Sequence, residues 1–229
     1  MIKLAVFDLD GTLCDYGKGV LNEDLKLIKE IEALGVQIAI CSGKPIYYLC
    51  GFSRQLGLNK PVLVGENGGS IQFGIDLPPA FFYHAPVPEN AARSIAFFKE
   101  EIMTALPHLW CQPNEFEFSP FFSKRAEADK IEKIIAENGD KIKGINIYRH
   151  PDCFDFIANN VNKGLGLKLV SEKLKLSPEQ IVSVGNDEND YEMFKFSGTS
   201  IGINLKDKSK ADFNFASLTE ALRFIKGLC

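Results

Sequence analysis

Four separated stretches of this chain carry side chains able to do chemistry. Asp8 and Asp10 stand two apart in Asp8-Leu9-Asp10-Gly11-Thr12-Leu13, Ser42-Gly43-Lys44 follows a short apolar run, Lys163 precedes Gly164, and Gly185-Asn186-Asp187-Glu188-Asn189-Asp190 is rich in carboxylates and amides. Carboxylates drawn into one crevice raise each other's pKa unless a cation compensates, and an all-oxygen donor set favours Mg2+. A cation held beside a Ser hydroxyl, exposed backbone N–H groups and a Lys ammonium meets the needs of a phosphoryl group. Zinc is disfavoured, because His84, His108 and His150 are not spaced for joint ligation and the six Cys show no C-x-x-C pair.

The elements that must bring these stretches together read as an α/β alternation. Residues 2–7 form a buried parallel strand that delivers Asp8 to a loop. Asn22 is a plausible N-cap, Leu25, Ile28, Ile31 and Leu34 keep helical spacing, and Gly35 closes the helix. Val36–Ile40 is a second strand, Pro45 opens a second helix, and Pro61–Val64 leads a third strand into Glu66-Asn67-Gly68-Gly69. Beyond Lys163 the rhythm returns. Leu167, Val170 and Leu174 form a stripe, Ser177-Pro178-Glu179-Gln180 precedes a strand over 181–184, a short helix covers 189–195, a strand lies near 199–203, and Ser217 opens a last helix. A parallel sheet with helices on both faces places the Asp8, Ser42 and Gly185 stretches at strand carboxyl ends, where such sheets bind ligands.

The intervening residues differ in character. Just over half of the aromatics fall in residues 81–160, about a third of the length, which implies a second small core. Pro88–Ala105 and Lys124–Glu137 read as helices, and the runs near 114–119, 145–149 and 153–157 as strands, an α+β insert. Trp110 and the paired phenylalanines read as core of that insert. The expected division is a core of 1–77 and 161–229 with an inserted domain at 78–160.

Composition bounds the rest. At 229 residues, 45% hydrophobic, 24% charged and net charge −4, the chain reads as soluble and globular, without the basic footprint of a nucleic-acid or anionic-membrane binder. No apolar stretch approaches the roughly 18 residues of a membrane span. Scattered cysteines and a first strand that runs early into Asp8 point to free thiols in the cytoplasm, without a signal peptide. Oligomeric state stays open between monomer and homodimer.

The four stretches, in this order, resemble the four motifs of the haloacid dehalogenase-like (HAD) phosphohydrolases. The resemblance covers roughly 1–77 and 160–229, and the insert has the position of a type C2 cap. Glu66-Asn67-Gly68-Gly69 resembles the same capped subgroup, which includes sugar phosphatases and phosphoglycolate phosphatases. It implies a HAD-like Rossmannoid core and a Mg2+-dependent phosphatase acting on a small phosphorylated metabolite. Asp8 would be the nucleophile that forms an aspartyl-phosphate, and Asp10 the general acid and base. Ser42, Gly43, Lys44, Asn67 and Lys163, with backbone groups at Leu9 and Gly11, would hold the phosphoryl group. Asp8, Asp10, Asn186 and Asp190 would hold the metal, and Thr12 would steady the loop.

Two positions depart from the pattern. The usual fourth motif is Gly-Asp-x-x-Asn-Asp, whereas here Asn186 takes the first acidic position and Asp187 follows as a reserve ligand. A neutral amide oxygen implies a weaker metal site. Lys44 stands where many relatives carry Arg, which removes a planar fork. The alternatives are a phosphomutase on the same nucleophile and a non-catalytic phosphate-ligand sensor. Cys41 reads as a small buried hydrophobe. Lys124, Arg125, Arg149 and His150 concentrate cationic character in the insert, where surface solvation and recognition of the substrate's remote end are both open.

Overall fold

The structure, a computed structural model, describes residues 1–229. It divides into two compact units, Met1–His84 with Asn162–Cys229, and Ala85–Val161. The first unit begins with β1 (Leu4–Phe7), α1 (Asn22–Ala33), β2 (Gln37–Cys41), α2 (Ile46–Leu56), β3 (Val62–Gly65), β4 (Ser70–Phe73) and β5 (Phe81–His84). The second holds α3 (Glu89–Ala105), β6 (Trp110–Cys111), β7 (Pro120–Phe121), α4 (Arg125–Glu137), β8 (Ile145–Arg149) and β9 (Phe154–Ala158). The chain then returns to the first unit through α5 (Lys163–Leu174), β10 (Ile181–Gly185), α6 (Tyr191–Phe196), β11 (Thr199–Ile203), β12 (Phe213–Phe215) and α7 (Leu218–Leu228).

In the first unit eight strands form one sheet in the order β12-β11-β10-β1-β2-β3-β4-β5. The pairs from β12 to β3 are parallel, with Leu4 facing Ile181 on one side and Gln37 on the other. Strand β1 is buried at every position, as a central parallel strand covered on both faces must be. Alternation sorts its side chains: Ala5 and Phe7 pack with Ile28, Ile31, Leu49 and Leu222, while Leu4 and Val6 pack with Leu167, Val170 and Met193. Helices α1, α2 and α7 therefore cover one face, and α5 and α6 the other. No helix is long and apolar enough to cross a membrane.

The sheet is not wholly parallel. After the turn at 66–69 the chain doubles back, so that β4 pairs antiparallel with β3 and β5 antiparallel with β4. Residues Phe81–His84 therefore stay with the large sheet, and the units part after His84, beyond the boundary expected at 78. Asn22 is the first residue of α1 rather than its cap; Leu21 holds that place, with no side-chain cap bond.

In the second unit, α3 and α4 accompany the hairpin β8–β9, whose core is built from Phe98, Phe118, Ile131, Phe154 and Phe156. The Phe156 ring stands 5.3 Å from Phe98 and 5.5 Å from Phe118. The expected strand at 114–119 does not form; Phe118 alone bridges to Phe156. Trp110 is exposed rather than core, resting against Phe121.

Candidate active site

The site is assembled at the carboxyl ends of β1, β2, β3 and β10. Asp8 is the first residue past β1, and its N–H donates to the Val184 carbonyl at 2.9 Å, which ties it to β10. The chain then turns sharply: Thr12 N–H and Cys14 N–H both donate to the Leu9 carbonyl, and Gly11, at φ +86°, gives its N–H to Cys14 O. The Gly11 N–H is thus used inside the turn. The turn directs Asp10 back toward β2, where its carboxylate meets the Lys44 ammonium at 3.4 Å.

Beyond β2, Ser42 is buried and its hydroxyl accepts from Lys44 N–H at 3.2 Å. The 66–69 turn hooks onto this loop, since Glu66 N–H donates to Lys44 O and Asn67 N–H to Ser42 O, each at 3.0 Å. Glu66 and Asn67 are both buried with left-handed backbone, at φ 49° and 52°. Consecutive residues in that region are held there by their surroundings. The Asn67 side-chain oxygen is approached by Asn189 Nδ2 at 3.4 Å, which joins the β3 turn to the turn after β10.

Lys163 enters from α5. Asn162 caps that helix, its Oδ1 accepting from Leu165 N–H at 2.9 Å, which makes Lys163 the first helical residue. The cap went unread in the sequence, although an Asn just before an apolar-periodic run is its usual signal. Lys163 is 1% exposed and its ammonium donates to Asp8 Oδ1 and to Asp190 Oδ1, both at 2.7 Å. The other Asp190 oxygen accepts from the N–H groups of Asn186 and Asp187, at 2.8 and 3.1 Å. Asp190 is completely buried, with both oxygens engaged by the protein. The geometry makes it the anchor of Lys163 and of its own loop.

Burial pushes the Asp190 carboxyl up to about 6, against the pull of Lys163 and with the help of Asp8. Burial also works against the Lys163 charge, but Asp190 and Asp8 outweigh it and hold the ammonium above the usual lysine range. Cys41, fully buried nearby, is pushed up to about 12 by burial, so it is an inert thiol. Asn186 completes the cluster, its Oδ1 accepting from the Thr12 hydroxyl at 3.0 Å. No three His, Cys, Asp or Glu side chains gather closely enough to hold a metal ion by themselves.

The cations singled out in the second unit have partners within it. Arg149 binds Glu132 at 2.7 Å and lies over the rings of Phe122 and Phe154, and His150 meets Asp155 at 3.1 Å. Arg125 lies 3.9 Å from Asp129, and Lys124 caps α4.

The carboxyl edge of an open α/β sheet thus carries a buried Lys between two carboxylates, a second carboxylate–lysine pair and a hydroxyl-bearing loop. A model of haloacid dehalogenase-like hydrolases matches residues 5–116 and 89–212, and the chain belongs to that family. It is 26% identical over 227 residues to a phosphoglycolate phosphatase of Methanosarcina acetivorans, covering 96% of this chain and 90% of the relative. A phosphoglycolate phosphatase of Thermoplasma volcanium is 26% identical over 201 residues, covering 85% and 82%. Among solved structures, a haloacid dehalogenase-like hydrolase from Bacteroides thetaiotaomicron superposes with TM-score 0.78 at 19% identity, covering 98% of this chain and 100% of the other. A HAD subclass IIB sugar phosphatase gives 0.75 at 18%, covering 99% and 100%.

Proposed function

We propose that this protein is a Mg2+-dependent phosphatase that hydrolyses a small phosphate monoester, of the sugar phosphate or phosphoglycolate class, through an aspartyl-phosphate on Asp8. The observation that carries the reading is the buried ammonium of Lys163 held 2.7 Å from Asp8 and from Asp190. It fixes the nucleophile's orientation and supplies a cation beside it, which supports a role in holding a phosphoryl oxygen. Relatives named phosphoglycolate phosphatases and a sugar phosphatase of the same fold support the substrate class.

In this mechanism an Asp8 oxygen attacks phosphorus in line as the bond to the alcohol oxygen breaks. Asp10 gives its proton to the leaving alkoxide, then takes one from the water that attacks the aspartyl-phosphate, which releases phosphate and restores Asp8. Ser42, Gly43, Lys163 and Asn67 hold the phosphoryl oxygens, and the Lys44–Asp10 pair keeps the acid–base carboxylate at the mouth of the loop. The donor set suits Mg2+: Asp8, Asn186 and Asp10 offer only hard oxygens, and the one buried thiol nearby is neutral. Bound there, the ion would neutralise charge developing on the phosphoryl group. Six free cysteines support a reducing, cytoplasmic setting.

The test is release of inorganic phosphate from sugar phosphates, phosphoglycolate and an aryl phosphate, with and without Mg2+, for the wild type and Asp8→Asn. Mg2+-dependent turnover lost in Asp8→Asn is the expected result. Turnover that survives the substitution refutes the nucleophile, and tight ligand binding without turnover would favour a sensor.

A further inference from the structure

We infer that the metal site is built on the neutral amide of Asn186, oriented by Thr12, that Asp187 is not a ligand, and that the site holds Mg2+ with one charge fewer than a carboxylate at 186 would provide. The inference rests on the metal-dependent reading above. Two neighbouring residues could have filled the position usually taken by an acid, and the structure separates them. The Asp187 carboxylate is turned onto its own loop, where Oδ1 accepts from Glu188 N–H at 2.8 Å and caps the following 3-10 turn. Asn186 points the other way, onto the Asp8–Thr12 turn. Its side chain lies so close against Gly11 that a Cβ there would collide with the amide nitrogen.

That placement settles which end of the amide is offered. The Thr12 hydroxyl donates to Oδ1 at 3.0 Å, and Thr12 is buried. With Nδ2 against Gly11 and one Oδ1 lone pair on Thr12, the second Oδ1 lone pair remains for a cation. Thr12 is thus a positioning residue acting through Asn186, as outer partners of metal ligands commonly do. The charge pattern explains why an amide is tolerated. Asp190 already uses one oxygen on the backbone N–H of residue 186, and Lys163 is shared between Asp190 and Asp8. A carboxylate at 186 would add a third anion to a cluster with a single buried cation. The metal-free protein is therefore more stable with Asn there, at the expense of metal affinity.

The experiment is calorimetric titration of chelator-stripped protein with MgCl2, without substrate, and melting of the same samples with and without Mg2+. Asn186→Asp is expected to tighten Mg2+ binding by about tenfold or more. It should also melt below the wild type without metal and gain more on adding it. Thr12→Val should weaken binding by about tenfold, Asn186→Ala should weaken it further, and Asp187→Asn should leave it within about twofold. If Asp187→Asn weakens binding as much as Asn186→Ala, or if Thr12→Val binds as the wild type does, the assignment is overturned while the metal-dependent reading stands. If neither the wild type nor Asn186→Asp binds Mg2+, the assignment and the metal requirement fall together.

Discussion

Replacing Lys163 by Met tests the centre of the structure. At an effective dielectric of about 20, each 2.7 Å contact corresponds to roughly 6 kcal/mol of attraction. Desolvation of three buried charges opposes this, and removing one partner of such a group costs about 3–5 kcal/mol. That is about a fifth or more of the roughly 5–15 kcal/mol that hold a typical domain folded. The cost depends on pH. Asp190's folded value of about 6 lies above the ordinary aspartate value of 3.8, so its contribution to stability is complete below 3.8 and is lost as pH rises through about 6. Lys163 is also raised, so its contribution persists through neutral pH and is lost only far into the alkaline range. Without the ammonium, Asp190 and Asp8 repel each other uncompensated, which pushes the Asp190 carboxyl further up. The deficit of Lys163→Met in urea unfolding should therefore be about 4 kcal/mol near pH 7.5 and smaller near pH 5. Adding Asp190→Asn should restore about 2 kcal/mol by removing a stranded charge. A deficit below about 1 kcal/mol that does not change with pH, or a double variant no more stable than the single one, would refute the argument.

Two further substitutions probe how the scaffold delivers that lysine. Gly164 is helical, and Ala there should gain about 1 kcal/mol by propensity; yet a Cβ would overlap the Glu192 carbonyl of α6, so Gly164→Ala should lower the melting temperature, whereas Gly51→Ala, with open space around it, should raise it. Asn67→Ala should cost about 1–2 kcal/mol in thermal or urea unfolding, because it forces a left-handed alanine and loses the Asn189 contact, while Asn67→Gly should cost clearly less; equal losses would show that the backbone conformation is not what the asparagine supplies.

Much of the core was legible because its signals are local. The apolar run 2–7, the helix stripes and the Gly-rich turns reported burial on two faces, and a parallel sheet then fixes which ends carry the chemistry. What was missed has non-local causes. Strands β4 and β5 follow a turn that looks like any loop entry, and only pairing makes them strands, Ser70–Phe73 on β3 and Phe81–His84 in turn on β4. The short β12 exists because β11 offers it an edge. Glu115–Ser119 alternates well enough to read as a strand, but its polar groups are drawn into a local network in which Asn114 Nδ2 reaches Glu117 Oε1 at 2.7 Å and the Ser119 hydroxyl at 3.1 Å. Trp110 shows that aromatic enrichment locates a core without saying which rings enter it.

The site divides along the same line. Spacing and residue type brought Asp8, Asp10, Ser42, Lys44, Lys163, Asn186 and Asp190 to one edge of one sheet, because strand ends are set by the fold's topology. The tasks of these side chains depend on which lone pairs and protons the fold has already used, and a sequence does not carry that information. Asp190 and Asn186 look alike as oxygen donors in a motif. In three dimensions, Asp190 has both oxygens committed to an ammonium and two amides, whereas Asn186 has one Oδ1 lone pair on Thr12 and the other free. Which donor is already committed is thus a property of the fold, and charge alone does not reveal it.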